Sequence, residues 1–461
     1  MADWRCASCN AENPERGNFC RMCGEARPRS RETETGRSAP HPMESPRQPD
    51  EGSTGAARSP LGRSLLEEIR GETSAALHKS RSHLEEFAAG MPKMPDLKFE
   101  MPDVGGAMRS SKSGIERITT RDLQLRVLPQ PKLNFALAHC GIPLIPVIEI
   151  KNNSIEEAKD VLIKAWVATD YGEPWQKTVS VIPAHKVFQE TDILVPLTKS
   201  RLQEVREAEK ASLRIDVFSE GDLQISETFP MEVLAYNEWF YHPQLQQIAA
   251  CFVQPNSEAV ENIVSMVRDR LKKEFRDTSL DGYQSGDPNR VMHMLEGLFL
   301  TLQNDLQLSY INPPPSFERP GQLPSGEPCI SQKVFFPEQI LKHRRGTCLD
   351  LALLCASCVE RMGLDPFFFL IQGHAFFGAW LIESDLDISV YRDHTVVKKL
   401  LDSNLVVPLN STTFASSHPR KFRDCVAEGL RYASDPETFW CGVDVSKARN
   451  KGFKPIPPLV D

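Results

Sequence analysis

Two side chains in the C-terminal half have the types and the setting of a nucleophile and its base. They are Cys348, in Gly346-Thr347-Cys348-Leu349-Asp350-Leu351, and His374, in Gly373-His374-Ala375-Phe376. A cysteine behind Gly-Thr and ahead of an unbroken apolar run reads as the first turn of a helix that ends near Met362-Gly363. A helix start offers partial positive charge and unpaired N–H groups, so the thiol there is expected to have a lowered pKa, helped by Arg344 and Arg345. Phe367 to Ile371 and Ala375 to Ile382 read as two buried strands, with His374 at the turn between them. Such a thiol beside such an imidazole is the pair that cysteine nucleophiles need. Cys355 and Cys358, farther along the same apolar helix, read as inert core. His343 and His394 lie in charged stretches and are poor bases.

A second chemical set lies at the N-terminus: Cys6, Cys9, Cys20 and Cys23, two Cys-x2-Cys pairs. Four thiolates at this spacing suit one tetrahedral Zn2+. Residues 1–27 hold too few apolar side chains to fold alone, so the zinc would act as their core.

Other elements must carry these groups. Residues 28–115 read as a disordered linker, rich in Arg, Ser, Pro and Glu, with an amphipathic helix near 61–90 that docks on a partner or on the chain's own body. Residues 116–240 alternate apolar and polar positions in successive short strands, such as Leu144 to Ile150 and Leu213 to Val217, which predicts an immunoglobulin-like β-sandwich. From 241 to 461 the pattern turns mostly helical, with apolar faces on 258–275 and 290–306 leading to the cysteine helix. The fold class expected is therefore multidomain α+β.

The formal net charge is −8, which argues against a general nucleic-acid binder. The start Met-Ala-Asp-Trp-Arg-Cys lacks the apolar core of a secretion signal, and no apolar run is long enough to span a bilayer. Eight further cysteines are scattered without a disulfide framework, so reduced thiols, a cytoplasmic location and no membrane partner are expected.

The stretch Gly346 to Leu354, followed by Gly373-His374-Ala375-Phe376-Phe377-Gly378-Ala379-Trp380-Leu381, resembles the transglutaminase-like branch of the papain-like fold. More narrowly it is similar to the module that precedes the helicase in large bacterial superfamily-1 helicase proteins. Asn237-Glu238-Trp239, Phe252 to Asn256, Leu280 to Ser285 and Pro315 to Glu318 extend the resemblance in the same order, over roughly residues 125–456. It implies a bacterial thiol hydrolase, a cysteine peptidase or amidase acting on a protein or peptide substrate. Cys348 would be the nucleophile and His374 the general base and acid.

The resemblance also implies a third residue on the next strand, commonly acidic, that holds the imidazole. Asn410 occupies that place in Leu405 to Thr412, with Asp402, Asp387 and Asp350 as alternatives. An asparagine orients the ring but does not stabilise an imidazolium as an acid does. The oxyanion hole would combine the Cys348 backbone N–H with Gln284. Trp380 either walls the pocket or lies in the core.

Trp4 and Asn13 around the first knuckle resemble the zinc finger of the Ran-binding-protein type. Pro14 stands where RNA-binding members carry a stacking aromatic, and Asn10-Ala11 where ubiquitin-binding members carry Thr-Phe. The finger is read as a docking module for a protein partner, with nucleic acid through Arg5, Arg16 and Arg21 as the alternative. The competing reading of the whole chain is a non-catalytic adaptor that keeps a papain-like fold as a binding surface.

Overall fold

The computed structural model describes residues 122–458 apart from 169, 243, 313–320 and 323–327, together with the short strands Trp4–Arg5, Glu12–Asn13 and Arg117–Thr119. Cysteines 6, 9, 20 and 23, expected as zinc ligands, and residues 28–115, expected as a linker with an amphipathic helix near 61–90, lie outside the described residues. The chain divides into two compact units, Met1–Ser74 and Ala75–Asp461. In the first, Trp4–Arg5 pairs antiparallel with Glu12–Asn13, and Trp4 stands opposite Asn13.

The second unit is mixed α and β, with several sheets. One sheet has four strands: β1 (Arg117–Thr119), β2 (Leu123–Leu128), β4 (Ile145–Asn152) and β7 (Val187–Ile193), in the order β1-β2-β4-β7. Another has five: β3 (Lys132–Leu133), β5 (Ala158–Val167), β6 (Trp175–Ile182), β8 (Glu209–Ser219) and β9 (Asp222–Val233), in the order β3-β9-β8-β5-β6. Alternate residues such as Leu123, Leu125 and Val127, or Val161, Ile163, Ala165 and Val167, are buried, so each sheet turns one face inward.

Residues 116–240 and 241–461, expected as separate domains, fall within this one unit. The reason is a packed seam. Helix α1 (Phe135–Cys140), capped by Asn134, ends with Cys140 Sγ 3.3 Å from Cys251 Sγ. Tyr236 packs edge-on against Phe336, with ring centroids 6.1 Å apart, and its hydroxyl donates to Pro457 O.

Beyond the seam come β10 (Glu238–Phe240), helix α2 (Glu258–Phe275), helix α3 (Pro288–Leu300) and β11 (Ser331–Lys333), which pairs with β10. Helix α4 (Cys348–Arg361) follows and is buried along nearly its whole length. It packs on a five-stranded antiparallel sheet formed by β12 (Pro366–Ile371), β13 (His374–Trp380), β14 (Val390–Tyr391), β15 (Val406–Leu409) and β16 (Phe439–Asp444), in the order β14-β16-β12-β13-β15. Helices α5 (His394–Asp402) and α6 (Phe422–Ala433) pack against β15. The central strand β12, Pro-Phe-Phe-Phe-Leu-Ile, is buried throughout, which is why it shows no alternation in the sequence. None of the described helices is long and apolar enough to cross a membrane.

Candidate active site

Local capping places Cys348 at the first position of α4. Thr347 is the N-cap: its hydroxyl accepts from the Asp350 N–H, and Asp350 Oδ2 accepts in return from the Thr347 N–H at 2.8 Å. Asp350 Oδ1 also accepts from Phe335 N–H at 2.8 Å. Asp350 is thus spent on holding the helix start and is not the partner of His374.

A two-residue turn places His374. Ile371 and His374 face each other across β12 and β13, and Gly373 sits at φ 75°, a conformation that side chains disfavour. The Ala375 N–H, one residue on, lies near enough to the Cys348 sulfur to favour its thiolate, as do the N–H groups of Leu349 and Cys348. The nucleophile and base expected from the sequence are therefore brought to one place, where the head of the buried helix meets the start of β13.

Asn410 follows directly on β15 and meets the imidazole, with His374 Nε2 3.0 Å from Asn410 Oδ1. The amide direction is fixed from behind, because Asn410 Nδ2 donates to Glu428 Oε2 at 2.9 Å. An amide that offers its oxygen to the ring makes Nε2 the protonated nitrogen, and the neutral ring keeps its lone pair on Nδ1. The ring is flanked by Tyr432 and Phe376, with centroids 5.1 and 5.7 Å away. The other acids considered for this role lie elsewhere. Asp402 pairs with Lys398 on α5, and Asp387 is 79% exposed near Lys451.

Two expectations need correction. Cys348 is only 7% exposed, and burial pushes its thiol up despite the three N–H groups around it. The desolvation of a charged sulfur outweighs the helix start, so the lowered pKa is not found. Burial likewise pushes His374 below its ordinary value, opposed by Asn410 and by the charge of Glu428. Burial thus favours the uncharged form of each group, thiol and neutral imidazole.

The second correction concerns Gln284, which does not reach Cys348. Its turn packs against Gly363, at the far end of α4, and a Cβ on Gly282 would lie 2.5 Å from Gly363 O. Tyr283 donates to Trp380 O at 3.0 Å, at the opposite end of β13 from His374. A helix and a strand of these lengths each span about 20 Å. Gln284 is an exposed turn residue, and the Gly-Tyr-Gln-Ser motif anchors the sheet through Tyr283.

The polar side chain that does stand at the helix head is Gln332. Its Nε2 donates to Thr347 Oγ1 at 2.9 Å, and across the β10–β11 pair it faces Trp239, whose indole N–H is buried without a partner. Trp380 is fully buried and donates to Asp444 Oδ2 at 2.8 Å, which makes it core. Cys355 and Cys358 are also fully buried, and none of the described cysteines forms a disulfide.

Sequence reasoning missed Glu428. It sits on α6, where one glutamate on an amphipathic helix reads as part of a solvated face. Its Oε2 also accepts from Thr413 Oγ1 at 2.7 Å, and its Oε1 from Arg420 at 2.8 Å. Burial alone would push this carboxyl up, but these donors, Asn410 and the Arg420 charge outweigh it and hold it below its usual value. Nothing in the local sequence signals the residue.

Compared with known protein families and with curated proteins, the chain matches none.

Proposed function

We propose that this chain is a cytoplasmic thiol hydrolase, a cysteine peptidase or amidase of transglutaminase-like, papain-like fold. Cys348 is the nucleophile, His374 the base and acid, and Asn410 holds the ring. The observation that carries this reading is that an asparagine lies 3.0 Å from Nε2 of a histidine at the head of the strand whose next residue, Ala375, lies by the thiol of a cysteine at a helix start.

In the reaction, Cys348 Sγ attacks the carbonyl carbon of a peptide or side-chain amide while its proton passes to His374 Nδ1. The tetrahedral oxyanion lies at the helix head, where the N–H of the first helical residue has no partner within the helix. Its collapse breaks the C–N bond, and the imidazolium protonates the leaving amine. Water then attacks the thioester, His374 takes its proton, and the carboxylic acid leaves as the thiol is restored. A neutral resting pair suits this sequence, because charge separates only as the bond to carbon forms.

Residues 116–240 are read as an immunoglobulin-like sandwich. Residues 1–27 are read as a finger in which Cys6, Cys9, Cys20 and Cys23 hold one structural Zn2+ and dock a protein partner. The metal reading is tested by elemental analysis: one zinc per chain is expected, and the loss of bound zinc in Cys6→Ser with Cys9→Ser. An unchanged metal content in that variant sinks it.

The catalytic reading is tested by iodoacetamide labelling followed peptide by peptide. Cys348 should label faster than Cys355 and Cys358, and His374→Ala should slow Cys348 alone by about tenfold. Equal, slow labelling of all three in both proteins overturns it. The second reading, a papain-like fold kept as a binding surface, is favoured by one observation, the burial of Cys348 and the upward push on its thiol.

A further inference from the structure

We infer that Glu428 is a positioning residue for His374, acting through Asn410 and supplying the negative charge that an asparagine alone does not bring. This rests on the reading of Cys348 and His374 as a catalytic pair.

The geometry forms a continuous relay. His374 Nε2 lies 3.0 Å from Asn410 Oδ1, Asn410 Nδ2 donates to Glu428 Oε2 at 2.9 Å, and Arg420 donates to Glu428 Oε1 at 2.8 Å. Each link has one chemical direction. A carboxylate only accepts, so it fixes the amide nitrogen toward itself and the amide oxygen toward the ring. That oxygen in turn selects the Nε2–H tautomer and leaves Nδ1 free to take a proton. When the ring becomes charged, a polarised amide backed by a carboxylate holds it better than an isolated amide does.

The fold keeps the carboxylate close. Gly429 lies so near β15 that a Cβ there would stand 2.4 Å from Pro408 O, which leaves room for no other residue beside Glu428. The Asn410 N–H donates to Cys425 O at 3.1 Å and ties the strand end to the same helix.

The titratable and charged groups around the relay are few. On α6 they are Arg423, Asp424, Cys425, Glu428, Arg431 and Tyr432; ahead of it stand Arg420 and Lys421; on α5 His394 meets Ala433 O at the end of α6; on α4 they are Cys348 and Asp350. Asp424 is engaged by Arg420 and by the Lys421 N–H, and Asp350 by Thr347 and Phe335, which leaves Glu428 as the acid aimed at Asn410.

The experiment follows the titration of His374 by NMR in chain carrying carbon-13 histidine, with the signal assigned by its loss in His374→Gln. It needs no substrate. Glu428→Gln should move the His374 titration down by about one pH unit, tenfold in proton affinity. Arg420→Gln, which leaves the carboxylate unopposed, should move it up. Asn410→Asp combined with Glu428→Gln carries the acid one position along and should restore or exceed the wild-type value.

If Glu428→Gln and Arg420→Gln both leave the titration unchanged while the chain stays folded, Glu428 serves only packing and the inference falls. If Glu428→Gln does not fold, Arg420→Gln and the combined variant decide. Iodoacetamide labelling of Cys348 on the same samples separates the two claims. Titration shifts with an unreactive Cys348 uphold the relay and sink the enzyme, whereas a reactive Cys348 with no shifts does the reverse.

Discussion

Gly429 has no room for a side chain against β15, which gives a sharp perturbation: Gly429→Ala. A Cβ at this position would stand 2.4 Å from Pro408 O, 2.6 Å from Pro408 C and 2.8 Å from Leu409 N. All three are main-chain atoms of a buried strand, so none can rotate away. Ordinary contact needs about 1 Å more, and α6 must therefore back off β15 by roughly that much. Alanine is better in a helix by about 1 kcal/mol. Against this, overpacking costs about 1–3 kcal/mol.

The retreat also stretches two hydrogen bonds that cross the seam, Asn410 Nδ2 to Glu428 at 2.9 Å and Asn410 N to Cys425 O at 3.1 Å. At about 4 Å neither survives, and each is worth about 1 kcal/mol. The net loss expected is about 2–4 kcal/mol, or a fall in Tm of about 2–4 °C for a chain of 461 residues. Thermal unfolding reads the first effect. The His374 titration reads the second, because a released Asn410 loses its charged backing and the titration should move down. A Gly429→Ala chain with unchanged Tm and an unchanged His374 titration would refute the argument that this contact holds the relay together.

Other outcomes follow from the same structure. Asp350→Ala removes the acceptor of the Thr347 and Phe335 N–H groups from a buried site, and should cost about 2–4 kcal/mol in urea unfolding; a loss below 1 kcal/mol would mean that the cap is dispensable. Burial holds the folded-state pKa of His374 below its unfolded value of 6.5, so the residue contributes stability that is present above pH 6.5 and is lost as pH falls through the folded value. Acid unfolding of His374→Gln should therefore show a shallower pH slope below 6.5, and an identical slope contradicts that burial. Cys140, half-buried and 3.3 Å from Cys251, has its thiol pushed down chiefly by that neighbour. It should be labelled by iodoacetamide before Cys348 at pH 7, as peptide mapping will show.

The sequence by itself determined the local devices. Gly-Thr-Cys-Leu-Asp already carries a cap and its reciprocal acid, and Gly373 already requires the turn that sets His374 at the head of a strand, because both depend on residues within a few positions of each other. The alternation of apolar residues marked the strands of the two sheets within residues 116–240 for the same reason. What lay beyond its reach were quantities set by distant neighbours. The Cys348 thiol is pushed up by its burial against the sheet, which outweighs the helix start that the sequence displays. Gln284 has suitable chemistry but packs by Gly363, at the wrong end of α4, a fact that only the path of the chain between them fixes. Glu428 is one glutamate among many until the close approach at Gly429 sets its helix against Pro408 and turns an exposed-looking acid toward Asn410. Short-range geometry is written in adjacent residues. Desolvation and long-range pairing belong to the packed chain, because they depend on which surfaces exclude water together.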